Sequence, residues 1–503
     1  MDNKNQTTIS YLVSQTIYEI YFSPLAKFPG PFLWKISKIP LQSASLNGRV
    51  HLKLTAFHDC YGPIVRISPN ELAFNSPQAF RDIYGSPTAT RTFLKERTHY
   101  LPATNGADHL ISAVDNSVHA RHRRLLSHAF SDRALREQQD LVTEYVDKLM
   151  QKLSSSSSQA VDIKSWLDYT FFDLTGELIF GESFQCLDSS ELHPWIALVF
   201  NSVKALMYMS VFTQFPWLNA VLQRLIPASL RQQERDHFDL AAAKMERRLK
   251  MGVTERSDFM SSVLRNGFVD DDVAATTNSS PEKVLSRAEL HSNSYILITV
   301  GSETSATLLS GCVYYLSKTP NVLQKLTDEI RSTFSVDSEI NFANSAKLTY
   351  LSAVIEESLR MYPPLVMGLP RMVASGGGVV DGHFLPEGTQ VSCHHYASYH
   401  SKANFALPNE FIPERWLGDA RFQSDKKDVL QPFSLGPRNC LGKNLAYAEI
   451  RLVLCKLVLR FNVKLCAESR NWVDQEIYFI WEKPELMVKL EERPHRVKAN
   501  EAD

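Results

Sequence analysis

Cys440 stands between two glycines in the run Phe433-Ser434-Leu435-Gly436-Pro437-Arg438-Asn439-Cys440-Leu441-Gly442, directly before a long amphipathic helical pattern. Gly436 and Gly442 reach backbone conformations closed to other residues, and Pro437 stiffens the loop. A helix beginning near Leu441 aims its N-terminal amides and positive dipole end at the sulfur, which favours thiolate over thiol. Such a thiolate can serve as a nucleophile, a redox thiol or an axial metal ligand. Arg438 suits an anionic group beside a metal. An isolated cysteine is more often a small buried hydrophobe, but this ten-residue setting argues for chemistry.

Three other clusters carry chemical groups. Glu357 and Arg360 share a helix face at i, i+3 and can pair. Their neighbours Leu351, Val354, Ile355, Leu359 and Met361 make that helix a buried one, so the pair needs internal partners. A second apolar helix, Tyr295 through Leu316, carries Gly301 and then Glu303-Thr304-Ser305 in its middle. A buried threonine beside an acid is costly unless satisfied. The bland alternative is a threonine bonded back to a carbonyl one turn earlier. Third, His119, Arg121, His122, Arg123 and Arg124 crowd one helical stretch, where a solvated basic face is the default reading.

These groups must be positioned by a chain of 503 residues, 44% apolar and 22% charged, which suffices for a large core. Net charge is −1, so no global field steers the protein to nucleic acid. Seven scattered cysteines with no C-x-x-C pair argue against a disulfide scaffold or a zinc ribbon, and for a reducing compartment. The opening stretch ISYLVSQTIYEIYF is short and broken by Ser14, Gln15, Thr16 and Glu19, and it lacks a basic leader. It reads as an interfacial segment over residues 1–22, followed by a stiff proline-rich hinge over 23–31. Ile64 to Phe74 alternates as a hairpin around Ser68-Pro69-Asn70. Residues 115–360 are mainly helical in period, with a polar linker at 268–284. Short strands return at 378–380, 388–391 and 478–481, and no repeat recurs. The fold class is mainly α with a smaller β-rich region, in one body over 32–490 with a polar tail at 491–503.

The pattern Phe433-x-x-Gly436-x-Arg438-x-Cys440-x-Gly442 resembles the haem-binding signature of the cytochrome P450 family, whose proximal iron ligand is a cysteine thiolate. Four further motifs follow the family's order over about residues 20–490. Glu357-x-x-Arg360 resembles its buried Glu-Arg-Arg network, completed by Arg415 in FIPERW. Gly301 to Ser305 resembles its oxygen-activation motif, in which Thr304 would hydrogen-bond dioxygen and Glu303 would support proton delivery. The family places alanine or glycine before that glycine, and here Val300 narrows the pocket. NSVHARHRRLLSHAFS resembles the helix that grips a haem propionate in fungal members, with His119 and Arg123 in the gripping positions and the other arginines facing a partner. Arg371 in Leu369-Pro370-Arg371 resembles the ligand of another propionate.

The resemblance implies a single-domain cytochrome P450 fold, with haem b between the long central helix and the Cys-loop helix. It implies a haem-thiolate monooxygenase of the filamentous-fungal secondary-metabolism type. Phe433, Gly436, Arg438 and Gly442 would help hold the haem. O2 and a lipophilic polyketide, terpenoid or alkaloid would be its substrates. Electrons would come from NADPH through a separate flavoprotein, NADPH–cytochrome P450 reductase, docking near Arg438 and Lys443. The setting would be the cytosolic face of the endoplasmic reticulum membrane, with no nucleic-acid partner. Family position gives Leu101, Leu110, Phe212, Ile296, Val300, Val366, Met367 and Phe479 as the pocket lining. Two other readings are a haem-binding scaffold or sensor without turnover, and a haem-free helical interaction protein presenting the His119 helix.

Overall fold

The computed structural model describes residues 2–86, 93–156, 159–191, 193–216, 219, 221, 224, 227–252, 258–266 and 284–493. The linker expected at 268–284 lies outside them, apart from Val284. A central helix, Arg287–Lys318, runs 32 residues through the body. It starts at a capping box, in which the Ser286 hydroxyl accepts from the Glu289 amide and the Glu289 carboxylate accepts from the Ser286 amide. Leu290, Tyr295, Ile298, Leu308 and Cys312 are buried on several of its sides, as befits a helix enclosed by others. It packs most extensively on the helix Ile163–Phe180. Gly301 makes that approach possible, because a Cβ there would lie 2.9 Å from Thr175 Cγ2. Among the described residues this is the one helix long and apolar enough to cross a membrane, and it is mostly buried within the body.

The β-rich part gathers around the expected hairpin. Ile64–Ser68 pairs antiparallel with Glu71–Phe74, which pairs in parallel with Gln390–Cys393. Arg371–Val373 and Phe93–Leu94 complete a five-stranded sheet. Met487–Glu492 pairs with Phe461–Leu465 and Ala160–Asp162 in a second sheet. That strand carries Glu491 and Glu492 into the fold, so the polar tail expected from 491 begins beyond them.

The N-terminal part, with the stiff segment at 23–31, packs on the body. A helix over Asp2–Ile17 runs into a π turn at Tyr18–Phe22. Glu19 is buried there, and its carboxylate lies 2.5 Å from the guanidinium of Arg66, which has no exposed surface. Leu25 and Phe28 are buried against the sheet, and Pro29 accepts a 2.7 Å hydrogen bond from the Arg66 amide. Residues 23–31 therefore form a packed strap, because their apolar side chains gain more on the sheet than in water. Outside it, Tyr11, Leu12, Tyr21, Phe22, Phe32, Leu33 and Ile39 are exposed.

Candidate active site

The Cys440 loop is held from three sides. The Cys440 amide donates to Phe433 O at 2.8 Å. Gly436 takes φ +66° and lies so close to the neighbouring chain that a Cβ would sit 2.4 Å from Tyr84 O. Ser434 shares the left-handed region at φ 59°. Gly442 does not need its freedom: its φ is −85°, and an added Cβ meets nothing nearer than Phe130 at 3.8 Å. It caps a helix that begins at Lys443, two residues later than the pattern suggests.

Cys440 is exposed as a residue. The protein mass around it is nonetheless dense, and desolvation pushes the Cys440 thiol up, against the Gly442 amide, Arg123 and Lys443. In the protein alone, burial outweighs the helix end and the two cations. A coordinating metal deprotonates such a thiol outright.

Arg123 and Arg438 lace this loop to the helix Asn116–Ser127. Arg123 donates to Asn439 O at 2.6 Å and to Asn439 Oδ1 at 2.5 Å, beside the cysteine. Arg438 donates the other way, to Ala113 O at 2.7 Å and Asn116 Oδ1 at 2.9 Å, where Asp115 caps that helix. Arg438 is therefore turned inward and is lost to the docking face expected for it. Arg121 likewise faces no partner: it lies 2.5 Å from Glu289 on the central helix, which His122 also approaches at 3.1 Å.

A cationic edge forms beside the loop. Buried Arg371 donates to Tyr100 Oη at 2.7 Å. Lys95 donates to Ile111 O at 2.5 Å, with its ammonium 4.3 Å from the Tyr100 ring centre. Burial and then the charges of Arg371 and Arg438 hold the Lys95 amine well below its ordinary value. Arg438 is lowered to about 10 by burial and Arg371, and His119 to about 3 by burial, Arg438, Lys95 and Arg123. Cations that depress one another fit an anionic group seated among them. Lys95 and Tyr100 escaped the sequence reading, since a lone lysine before an ordinary loop carries no spacing signal.

On the central helix, Thr304 donates to Val300 O at 2.7 Å, the back-bonded geometry that is the bland alternative. Its neighbour Glu303 is buried, 2.7 Å from Lys483, and accepts from Thr307 at 2.9 Å. Ser305 donates to Glu449 Oε2 at 3.1 Å, joining the central helix to the helix that follows Cys440. Burial pushes the Glu449 carboxyl up to about 8, against the Ser305 bond, so it is mostly protonated at neutral pH. A raised carboxyl contributes stability that is complete below its ordinary value near 4.5 and is lost as pH rises through about 8. Glu449→Gln mimics the protonated form at every pH. Its melting temperature is expected to gain on the natural protein steadily between pH 5 and pH 8, and a gap independent of pH refutes this.

Glu357 is the hub of a fully buried network. It pairs bidentately with Arg360 at 2.8 and 2.9 Å, and accepts from Arg415 at 3.0 Å, Trp416 Nε1 at 2.9 Å and the Ile412 amide at 2.9 Å. Asp425, absent from the sequence reading, takes the other side of Arg415 at 2.5 Å and balances the charge.

The expected pocket lining divides. Phe212 and Phe479 meet in a small cluster with Met207, Val211 and Tyr478, and Phe479 takes φ 66°. Leu110, Ile296 and Met367 are partly buried against the main core. Leu101 and Val300 are partly buried as well. Val366 is wholly enclosed in that core and faces no open space.

An exposed cysteine on a braced loop, beside a cluster of cations that depress one another, has the donor chemistry of a haem-thiolate protein. The profile of the family "Cytochrome P450" matches residues 26–490. The chain is 42% identical to the cytochrome P450 monooxygenase astA of Talaromyces wortmannii, covering 96% of each chain. It is 39% identical to the cytochrome P450 monooxygenase efuB of Hormonema carpetanum, over 96% of this chain and 95% of that one. It is 40% identical to the trichothecene C-15 hydroxylase of Fusarium sporotrichioides, again over 96% of both. The chain belongs to the cytochrome P450 family, and its cofactor class is haem-thiolate. It is a monooxygenase, using O2, a small-molecule substrate and a redox partner.

Proposed function

We propose that this enzyme hydroxylates or epoxidises a lipophilic secondary metabolite of the fungal polyketide, terpenoid or alkaloid kind. The reading rests on Cys440, an exposed residue at the base of a braced loop, in a chain that matches the family over residues 26–490. Cys440 would supply the thiolate that holds haem b. Lys95, His119, Arg371 and Arg438 receive its carboxylates, and Arg123 holds the Asn439 peptide beside the ligand. Phe433 and Gly436 set the loop's shape, and Gly442 caps the helix behind it. The haem, when bound, activates O2 for insertion of one oxygen atom into a C–H or C=C bond. The protein's own part is positional and protonic. Thr304 would hold a proton toward the O2 site once its hydroxyl leaves Val300 O, and Glu303 would resupply it. Phe212, Ile296, Val300 and Phe479 give the substrate an apolar bed, with Leu101, Leu110 and Met367 at its border.

Electrons come from NADPH through a separate flavin reductase. The exposed aromatic and aliphatic residues from Tyr11 to Ile39 rest on the cytosolic face of the endoplasmic reticulum membrane. The test is product formed per NADPH consumed, with reductase in vesicles. Thr304→Ala is expected to keep consuming NADPH and O2 while product falls about tenfold or more, within the range for lost proton transfer. Unchanged coupling overturns Thr304's role, and no product from any lipophilic substrate overturns the proposal.

A further inference from the structure

Glu303 is one end of a buried chain of charges that no sequence motif announces. The Lys483 ammonium lies 2.7 Å from Glu303 Oε1 and 3.3 Å from Asp168 Oδ1, and it donates to Thr307 Oγ1 at 2.8 Å. Asp168 Oδ2 in turn lies 2.9 Å from Lys164 on the first turn of the helix Ile163–Phe180. Side-chain exposure is 6% at Glu303, 0% at Lys483 and 3% at Asp168, and reaches 14% at Lys164. Two lysines and two carboxylates balance, so the row can be dry without an unpaired charge.

The scaffold around Lys483 is rigid. Trp481 Nε1 donates to Pro363 O at 2.8 Å, and Trp472 Nε1 holds Pro484 O at 2.9 Å. A lysine pinned on both flanks cannot swing away to solvent. Burial raises the Glu303 carboxyl, with Lys483 opposing and Asp168 reinforcing. Burial also works to raise Asp168, but Lys483 and Lys164 outweigh it and hold that carboxyl low. The other charged or titratable groups that act on Glu303 are Lys164 and Tyr362, with Thr307 hydrogen-bonded to it.

We propose that Lys483 is a positioning residue for proton delivery, and that Lys164, Asp168 and Lys483 form the route by which solvent protons reach Glu303. The inference rests on the proposed role of Glu303. The Lys483 ammonium gives a proton to the Glu303 carboxylate, which hands it on toward Thr304. Lys483 is recharged through Asp168 and Lys164 from water; no electron moves, and each group returns to its starting charge. Sequence spacing does not foreshadow this route, because Lys483 comes from the strand-rich C-terminal part and Asp168 from another helix.

The test pairs two readouts. In the haem-free protein at pH 7, infrared spectroscopy of Lys483→Met is expected to show one additional protonated carboxyl, absent from Lys483→Met/Glu303→Gln. In the reductase-supported enzyme, Lys483→Met is expected to lose coupling about tenfold with KM unchanged, and to raise the solvent isotope effect on product formation. Lys483→Arg keeps the positive charge beside Glu303 and restores the infrared signature, but not the coupling or the isotope effect, because a guanidinium does not give up its proton. Should Lys483→Met fail to fold, the accessible end decides: Lys164→Met raises the isotope effect while leaving KM alone. Natural coupling and isotope effect in Lys483→Met, or in Lys164→Met where Lys483→Met does not fold, overturn the route. Natural coupling in Glu303→Gln overturns instead the role of Glu303. Impaired Glu303→Gln beside unimpaired Lys483→Met overturns this inference alone.

Discussion

Cys440→Ala is expected to give a folded protein that lacks the long-wavelength carbon monoxide band of reduced thiolate-ligated haem and whose turnover falls to background. The effect is confined to ligation, because the side chain has little structural work. Cys440 is exposed, and the hydrogen bond that shapes the loop uses its backbone amide to Phe433 O. Gly436 at φ +66°, wedged against Tyr84 and Gly85, and the Arg123 grip on Asn439 are untouched by the substitution. Stability is expected to change by about 0.5 kcal/mol or less, in the range of surface substitutions. Far-ultraviolet circular dichroism and thermal melting check the fold, and the reduced carbon monoxide spectrum checks the ligand. A persistent band sinks the assignment of Cys440.

Glu357→Ala is expected to produce the opposite separation, in which the fold fails and the haem is lost as a consequence. Burial works to raise the Glu357 carboxyl, but Arg360, Arg415 and the Ile412 amide outweigh it and hold it below its ordinary value. Removing it leaves the Arg360 guanidinium buried with neutral partners, the carbonyls of Tyr399, Pro408 and Glu410 and the Met361 sulfur. Arg415 retains Asp425, so the damage concentrates on Arg360. Breaking a buried pair by removing one partner costs about 3–5 kcal/mol, a large part of the about 5–15 kcal/mol that holds a typical domain together. The measurement is denaturant unfolding of the natural and variant proteins, with soluble yield as a second readout. A loss below about 1 kcal/mol contradicts the reading of Glu357 as the hub. Glu357→Gln keeps the Trp416 and Ile412 contacts in part and falls between the two.

The contrast shows what a sequence can display. The Cys440 loop and the Glu357–Arg360 pair were readable because their members stand within ten residues of one another, where spacing translates into geometry. The hairpin at Ile64 to Phe74 was readable for the same reason, as alternation carries it. The partners that complete each cluster were not. Lys483 on Glu303, Asp425 on Arg415 and Lys95 beside Tyr100 are single charged residues in unremarkable contexts, joined only through space. Magnitudes decide two further points. The helix end favours the Cys440 thiolate, whereas in the protein alone desolvation of the loop is the stronger effect. Arg121 and Arg438 were given to partners outside, whereas a carboxylate and backbone carbonyls within the protein claim them.

The buried contact between Glu19 and Arg66 sets where this chain can be shortened. Arg66 has no exposed surface, and Glu19 offers it both a carboxylate and a backbone carbonyl, the latter at 2.7 Å. A version starting at the prolines would leave that guanidinium sealed against the sheet with the Pro69 carbonyl and no counter-charge. Trimming for expression therefore belongs ahead of Glu19. Residues usually discarded as an anchor include, in this protein, a rivet of the catalytic body.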